Sequence, residues 1–140
     1  MLGLHSPFPP HDEIINLLLI FFKYMFDFER LDVYQLVREQ NIKVLRYIYK
    51  QKKIDDQIID LWKKASMNIV LYLAEATGKM NNPDKMHFLT NSRTSVFEAV
   101  AILEVVRDLG FIEENLYTEI YNGYERASKM LLGMIRSYNK

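Results

Sequence analysis

The 140-residue chain contains no cysteine. That excludes disulfides, thiolate nucleophiles and cysteine metal sites together. Glycine and proline are scarce, at five and four residues, which leaves little material for the many turns of an all-β domain. Neither sign of charge is in excess, since 18 basic residues balance 18 acidic ones. With 49% of residues hydrophobic, the chain has the apolar content to fold. Its length suits one domain, and a domain of this size buries enough surface to need no metal or disulfide. A long apolar run is also missing. The most apolar stretch, Ile14–Phe22, is interrupted by Asn16 and falls well short of the ~20 residues that span a bilayer. Asp12 and Glu13 precede it, where a secretory signal carries basic residues. A cytoplasmic protein without membrane association is the expectation.

What remains is helical. Val33, Leu36, Val37, Val44, Leu45 and Ile48 recur at three- and four-residue steps, predicting a helix over about Leu31–Lys50. Lys50, Lys52 and Lys53 close it, as the helix dipole favours. A second helix opens at Asp55-Asp56, carries Ile58, Leu61, Trp62, Ala65, Ile69, Tyr72, Leu73 and Ala76, and stops at Gly78 as a C′ residue. The third starts with Asn82 as N-cap and Pro83 in the first helical position. Its stripe is Leu89, Ser92, Val96, Ala99, Leu103 and Val106, and Gly110 ends it. The fourth runs from about Glu113 to Tyr138, with Leu116, Ile120, Ala127, Leu131 and Met134 on one face. Short connections imply antiparallel neighbours. The fold class is therefore all-α, an antiparallel up-down-up-down four-helix bundle over residues 25–140 with an N-terminal extension over 1–24. Ser6-Pro7-Phe8-Pro9-Pro10 cannot lie inside a helix. The extension, with a short apolar helix at Ile14–Phe22, is expected outside the bundle and dispensable for folding. Met25 offers an alternative start.

Catalytic chemistry is scarce. His5, His11 and His87 form no pair at helical spacing, so no metal face arises. Glu75, Glu98, Glu104 and Glu125 lack the Glu-x-x-His pattern of a di-metal bundle. No phosphate-binding glycine loop or Ser-His-Asp order occurs. No catalytic residue, metal or cofactor is expected.

Charge is unevenly placed despite the zero net. Arg38, Lys43, Arg46, Lys50, Lys52, Lys53, Lys63 and Lys64 make a basic stretch, whereas Glu98–Glu125 is acidic with Arg107 its only base. The basic stretch is the candidate nucleic-acid surface, addressing phosphates rather than bases. Arg46 and Lys50 stand four apart, and Arg38 precedes Arg46 by nearly two turns. A solvated face whose charges pair within or between subunits is the alternative.

Several motifs carry a family resemblance. Phe28-Glu29-Arg30-Leu31-Asp32-Val33-Tyr34 is similar to the opening Phe-x-x-Leu-x-Val-Trp/Tyr of the bacterial four-helix-bundle proteins called 23S rRNA intervening-sequence proteins. Lys63-Lys64-Ala65-Ser66-Met67-Asn68-Ile69 resembles their Arg-Arg-Ala-Ala-x-Ser-Ile. Leu73-Ala74-Glu75-Ala76-Thr77-Gly78-Lys79 resembles Ile-Ala-Glu-Gly-x-Gly/Ser-Arg. Phe88–Glu98 follows Phe-x-x-x-Ser-Arg-Gly-Ser-x-x-Glu, and Asp108-Leu109-Gly110-Phe111-Ile112 follows Asp-Leu-Gly-Tyr-Ile. Ala76 and Thr94 replace two motif glycines, and Tyr72 replaces an asparagine. The order and spacing of the motifs are in register from Met25 to Lys140. The resemblance implies a homo-oligomer, a pentamer by analogy with the related accessory proteins of diversity-generating retroelements. It also implies RNA or a reverse-transcriptase complex as partner. Glu75, Arg93, Ser95 and Glu98 fall in its motifs and are expected to form a structural polar cluster, Arg93 pairing with Glu75 or Glu98 inside a subunit or between subunits. Two functions stay open: an oligomeric bundle that binds RNA, and an oligomeric protein-interaction scaffold with no nucleic-acid contact.

Overall fold

In the computed structural model, residues 9–23 and 26–139 are described. His5, Met25 and most of the proline-rich opening lie outside them. Five α-helices follow in order: α1 (His11–Lys23), α2 (Asp32–Lys50), α3 (Asp56–Thr77), α4 (Asn82–Asp108) and α5 (Glu114–Tyr138), with a short 3-10 turn at Asp27–Arg30 before α2. No strand occurs among the described residues. None of their helices is long and apolar enough to cross a membrane.

Local chemistry sets the helix ends. The Asp55 side chain accepts from the Gln57 N–H and caps α3. Asn81, not Asn82, caps α4: its Oδ1 accepts from the Asp84 N–H at 2.9 Å, and its Nδ2 donates to the Asp84 carboxylate. Asn82 is thus the first helical residue. Pro83 takes the second position, where a missing N–H costs nothing. Gly78 sits at the C-cap with φ −81° and makes no use of glycine's freedom. Gly110 does, at φ +79°. There the Gly110 N–H reaches the Arg107 carbonyl and the Phe111 N–H reaches Val106. This double bond pattern is a Schellman stop.

Helices α2 to α5 form a closed cycle. Close backbone contacts join α2–α3, α3–α4, α4–α5 and α2–α5 and neither diagonal pair; across one diagonal, Trp62 of α3 reaches Tyr124 of α5 through side chains. Every seam is antiparallel. Asn41 meets Met67 and Tyr47 meets Trp62 across α2–α3. Ser92 meets Ile69 and Tyr72 meets Phe88 across α3–α4. Gln40 meets Ile120 and Lys43 meets Glu119 across α2–α5. Arg93 meets Ser128 and Arg107 meets Tyr117 across α4–α5. Leu73, Leu89, Leu103, Ile120 and Leu131 are completely enclosed, each stabilising by ~1.5–3 kcal/mol. Leu61 departs from the expected core stripe and is 58% exposed. Polar groups inside the bundle are mostly paired. Gln40 donates to the Ile120 carbonyl at 2.6 Å, Trp62 Nε1 to the Tyr124 hydroxyl at 3.1 Å, and Ser92 to the Ile69 carbonyl at 2.6 Å. Among the described residues, helix α1 contacts no other element.

Candidate nucleic-acid interface

The second half of α2 builds the main basic feature. Steps of three and four residues bring Lys43, Arg46 and Lys50 to one side of the helix. They line a groove of about 650 Å³ with Glu39, Ile42, Tyr47 and Leu116, the last from the start of α5. Lys43 Nζ stands 2.5 Å from Glu119 Oε1, both side chains partly exposed. Such a pair contributes at most ~1 kcal/mol. Arg46 and Lys50 are exposed and enter no ion pair among the described residues. Tyr47 forms the rigid wall. Its hydroxyl donates to the Phe111 carbonyl, and its ring stands edge-on to Trp62 at 6.0 Å. Burial raises the Tyr47 pKa, so the donor keeps its proton at neutral pH. Lys52 and Lys53 are exposed in the loop that follows and prolong the basic feature past the helix end.

The other basic residues diverge from this group. Lys63, half-buried on α3, lies 5.0 Å above the Tyr49 ring, a cation–π contact. Lys64 is exposed on the outward face of α3, since one residue of helix turns ~100°. Arg38 is exposed but does not line the groove. Eight steps of ~100° carry Arg46 roughly 80° past two full turns from Arg38, off a common stripe. The single stripe expected from spacing is therefore a groove group of Lys43, Arg46 and Lys50, extended by Lys52 and Lys53, with Arg38, Lys63 and Lys64 apart. The acidic run reaches the same groove through Glu119.

Within the chain, Glu75, Arg93, Ser95 and Glu98 do not converge. Arg93 donates to the Ser128 carbonyl at 3.3 Å, and its guanidinium lies 4.8 Å from the Phe97 ring centre. It pairs with neither glutamate. Ser95 is buried and donates to the Asn91 carbonyl one turn back, while Glu75 and Glu98 are exposed. Arg93 and Ser95 are two residues apart on α4, so they point to nearly opposite sides. The His87 Nε2 lies 3.5 Å from the Asn91 amide. Among the described residues, no group of three His, Asp or Glu side chains could hold a metal ion.

With this geometry in place, the sequence matches the model of the 23S rRNA-intervening sequence proteins over residues 29–133. The chain belongs to that family. Helix α1 lies outside the matched residues. A similar fold is seen in a crystal structure from Bacteroides thetaiotaomicron, a protein of unknown function in the S23 ribosomal protein family. It aligns with a TM-score of 0.69 at 17% identity, covering 74% of this chain and 97% of the other. At that identity the likeness concerns the fold alone. No curated protein matches the sequence.

Sequence reasoning overlooked the polar interior. Gln40 and Asn41 are buried on α2, in the step between Val37 and Val44 where the apolar stripe is interrupted. That interruption was the available signal. Tyr117 and Tyr124 are buried on α5, one and two turns of the stripe that Ile120 and Ala127 define.

Proposed function

We propose that the protein is a non-enzymatic, self-assembling helical bundle that binds RNA through backbone phosphates. The observation that carries this reading is the groove in which Arg46 and Lys50 stand exposed beside Lys43, with no ion-pair partner among the described residues, followed by the exposed Lys52 and Lys53 in the next loop. Unpaired cations in a shared groove attract phosphate and release counterions on binding. One chain offers few such charges. A closed homo-oligomer repeats the groove in each copy and sums modest contributions into useful avidity. Exposed Leu61 and Leu71 on α3, with Val105 and Leu109 at the end of α4, supply apolar surface for contacts between copies. The family resemblance favours five subunits. RNA, free or held in a reverse-transcriptase complex, is the partner that fits this charge.

The scaffold reading rests on Glu39, which lines the same groove, and on Glu119, which pairs with Lys43; both oppose phosphate. Binding of labelled structured RNA separates the two. Arg46→Glu/Lys50→Glu is expected to abolish a salt-sensitive interaction that Lys64→Glu, on the outward face of α3, leaves largely intact. Equal binding by all three proteins, or no binding at low salt, leaves the scaffold reading in place.

A further inference from the structure

Helix α1 and a groove on the opposite side of the bundle have complementary features. Ile14, Leu17, Leu18 and Leu19 of α1 are between 37% and 62% exposed. Ile14 and Leu18 share one face, and Asp12 and Asn16 share the other. A lone apolar helix in water needs a cover. Between α4 and α5 lies an open groove of about 460 Å³. Its floor is apolar, with Val96, Phe97, Val100 and Tyr121, and Phe97 is 55% exposed. Its rim is of mixed charge, with Arg93, Glu104 and the Lys129–Glu125 ion pair.

We infer that α1 of one copy docks in the α4–α5 groove of a second copy. Length agrees. Arg93 to Glu104 spans ~16 Å of helix and α1 ~20 Å. Reach makes the contact intermolecular. The 3-10 turn Asp27–Arg30 packs on α2 and α3, on the far side from the groove. Four Cα steps separate Lys23 from Asp27, at most ~15 Å, whereas passing around the bundle means two helix diameters, ~20 Å. A lipid surface suits α1 less well. Interfacial helices carry a basic polar face, and that of α1 holds Asp12, Glu13 and Asn16. The docking deepens the self-assembly reading and rests on it.

The absence of cysteine makes a disulfide trap unambiguous. Full-length Leu18→Cys and Ala101→Cys proteins are mixed, mildly oxidised and run on a non-reducing gel. A covalent dimer of mixed composition is expected, and adding Val100→Asp to the second partner should abolish it. Leu18→Cys mixed with Lys64→Cys should give only background. Four results overturn the inference: mixed dimer no stronger than with Lys64→Cys, dominance of the Leu18→Cys homodimer, closure within one chain of the double variant, or trapping that Val100→Asp leaves unchanged. Light scattering on the untreated protein separates the two failures. An assembled protein without the trap refutes the arm alone, and a monomer refutes assembly too.

Discussion

Gly123 and Gly133 lie on the same helix, yet an added methyl meets different surroundings at each. At Gly133 a Cβ meets nothing within 4 Å. At Gly123 it would land on the end of the Gln40 side chain, 2.6 Å from Cδ. Gly133→Ala therefore gains helix propensity alone, ~1 kcal/mol, or roughly 3 °C in a chain of this size. Gly123→Ala gains the same and must also move Gln40. That amide is buried and donates to the Ile120 carbonyl, so displacing it costs ~1–3 kcal/mol. The net effect runs from about zero to a loss of ~2 kcal/mol, with the two alanine variants differing by ~1–3 kcal/mol. Urea unfolding followed by far-UV circular dichroism measures both, at matched protein concentration since any self-association would add stability by mass action. In a Gln40→Ala background the obstacle is gone, and Gly123→Ala should recover the full gain of ~1 kcal/mol. Equal stabilisation by both glycine replacements, or a penalty that survives Gln40→Ala, would refute the reasoning.

The pH dependence and the helix cap give two further expectations. Burial pushes the Tyr124 pKa up to about 12, against the weaker opposing effect of the neighbouring Trp62 N–H and Ser66 hydroxyl. The folded state therefore holds its proton longer than the unfolded chain, whose tyrosines titrate near ~10. This contribution is intact below pH ~10 and is lost as pH rises toward ~12, a total of about 2–3 kcal/mol. Tyr124→Phe should flatten stability across that alkaline window while costing ~1 kcal/mol at neutral pH; an unchanged alkaline slope would show another group to be responsible. Asn81→Ala should lower stability by ~1 kcal/mol through the lost cap of α4, whereas Asn82→Ala changes little. Equal losses in thermal melts would return the cap to Asn82.

The helices were legible because their signals are local. Val33, Val37, Val44 and Ile48 mark the buried side of α2 by period alone, and Gly110 marks the end of α4 by the one conformation that other residues avoid. Errors arose where two candidates adjoin. Asn81 and Asn82 both suit a cap, and only the chain's direction into α4 selects the first. Leu61 fits the periodic stripe of α3 but falls at its edge, where packing rather than period decides burial. The dispersal of Arg38, Lys63 and Lys64 from the groove was also readable as angle, since neighbours on a helix diverge by ~100°. The α4–α5 groove was not readable. It depends on how two helices separate at Phe97 and Tyr121, which no spacing within either helix records.

The closed antiparallel cycle gives the molecule two unlike poles. Helix α2 begins and α5 ends at the same pole, where Lys85 near the start of α4 lies 5.9 Å from the Tyr138 ring. Arg46, Lys50 and the Lys52-Lys53 loop occupy the other pole, beside Phe111 at the opposite turn. The 19 residues of α2 hold these poles ~28 Å apart. The arm proposed above leaves from the first pole and would join one copy to the next without shading the basic groove. In such a ring the distance from each junction to the basic groove of its own copy would be set by the length of a helix rather than by any loop.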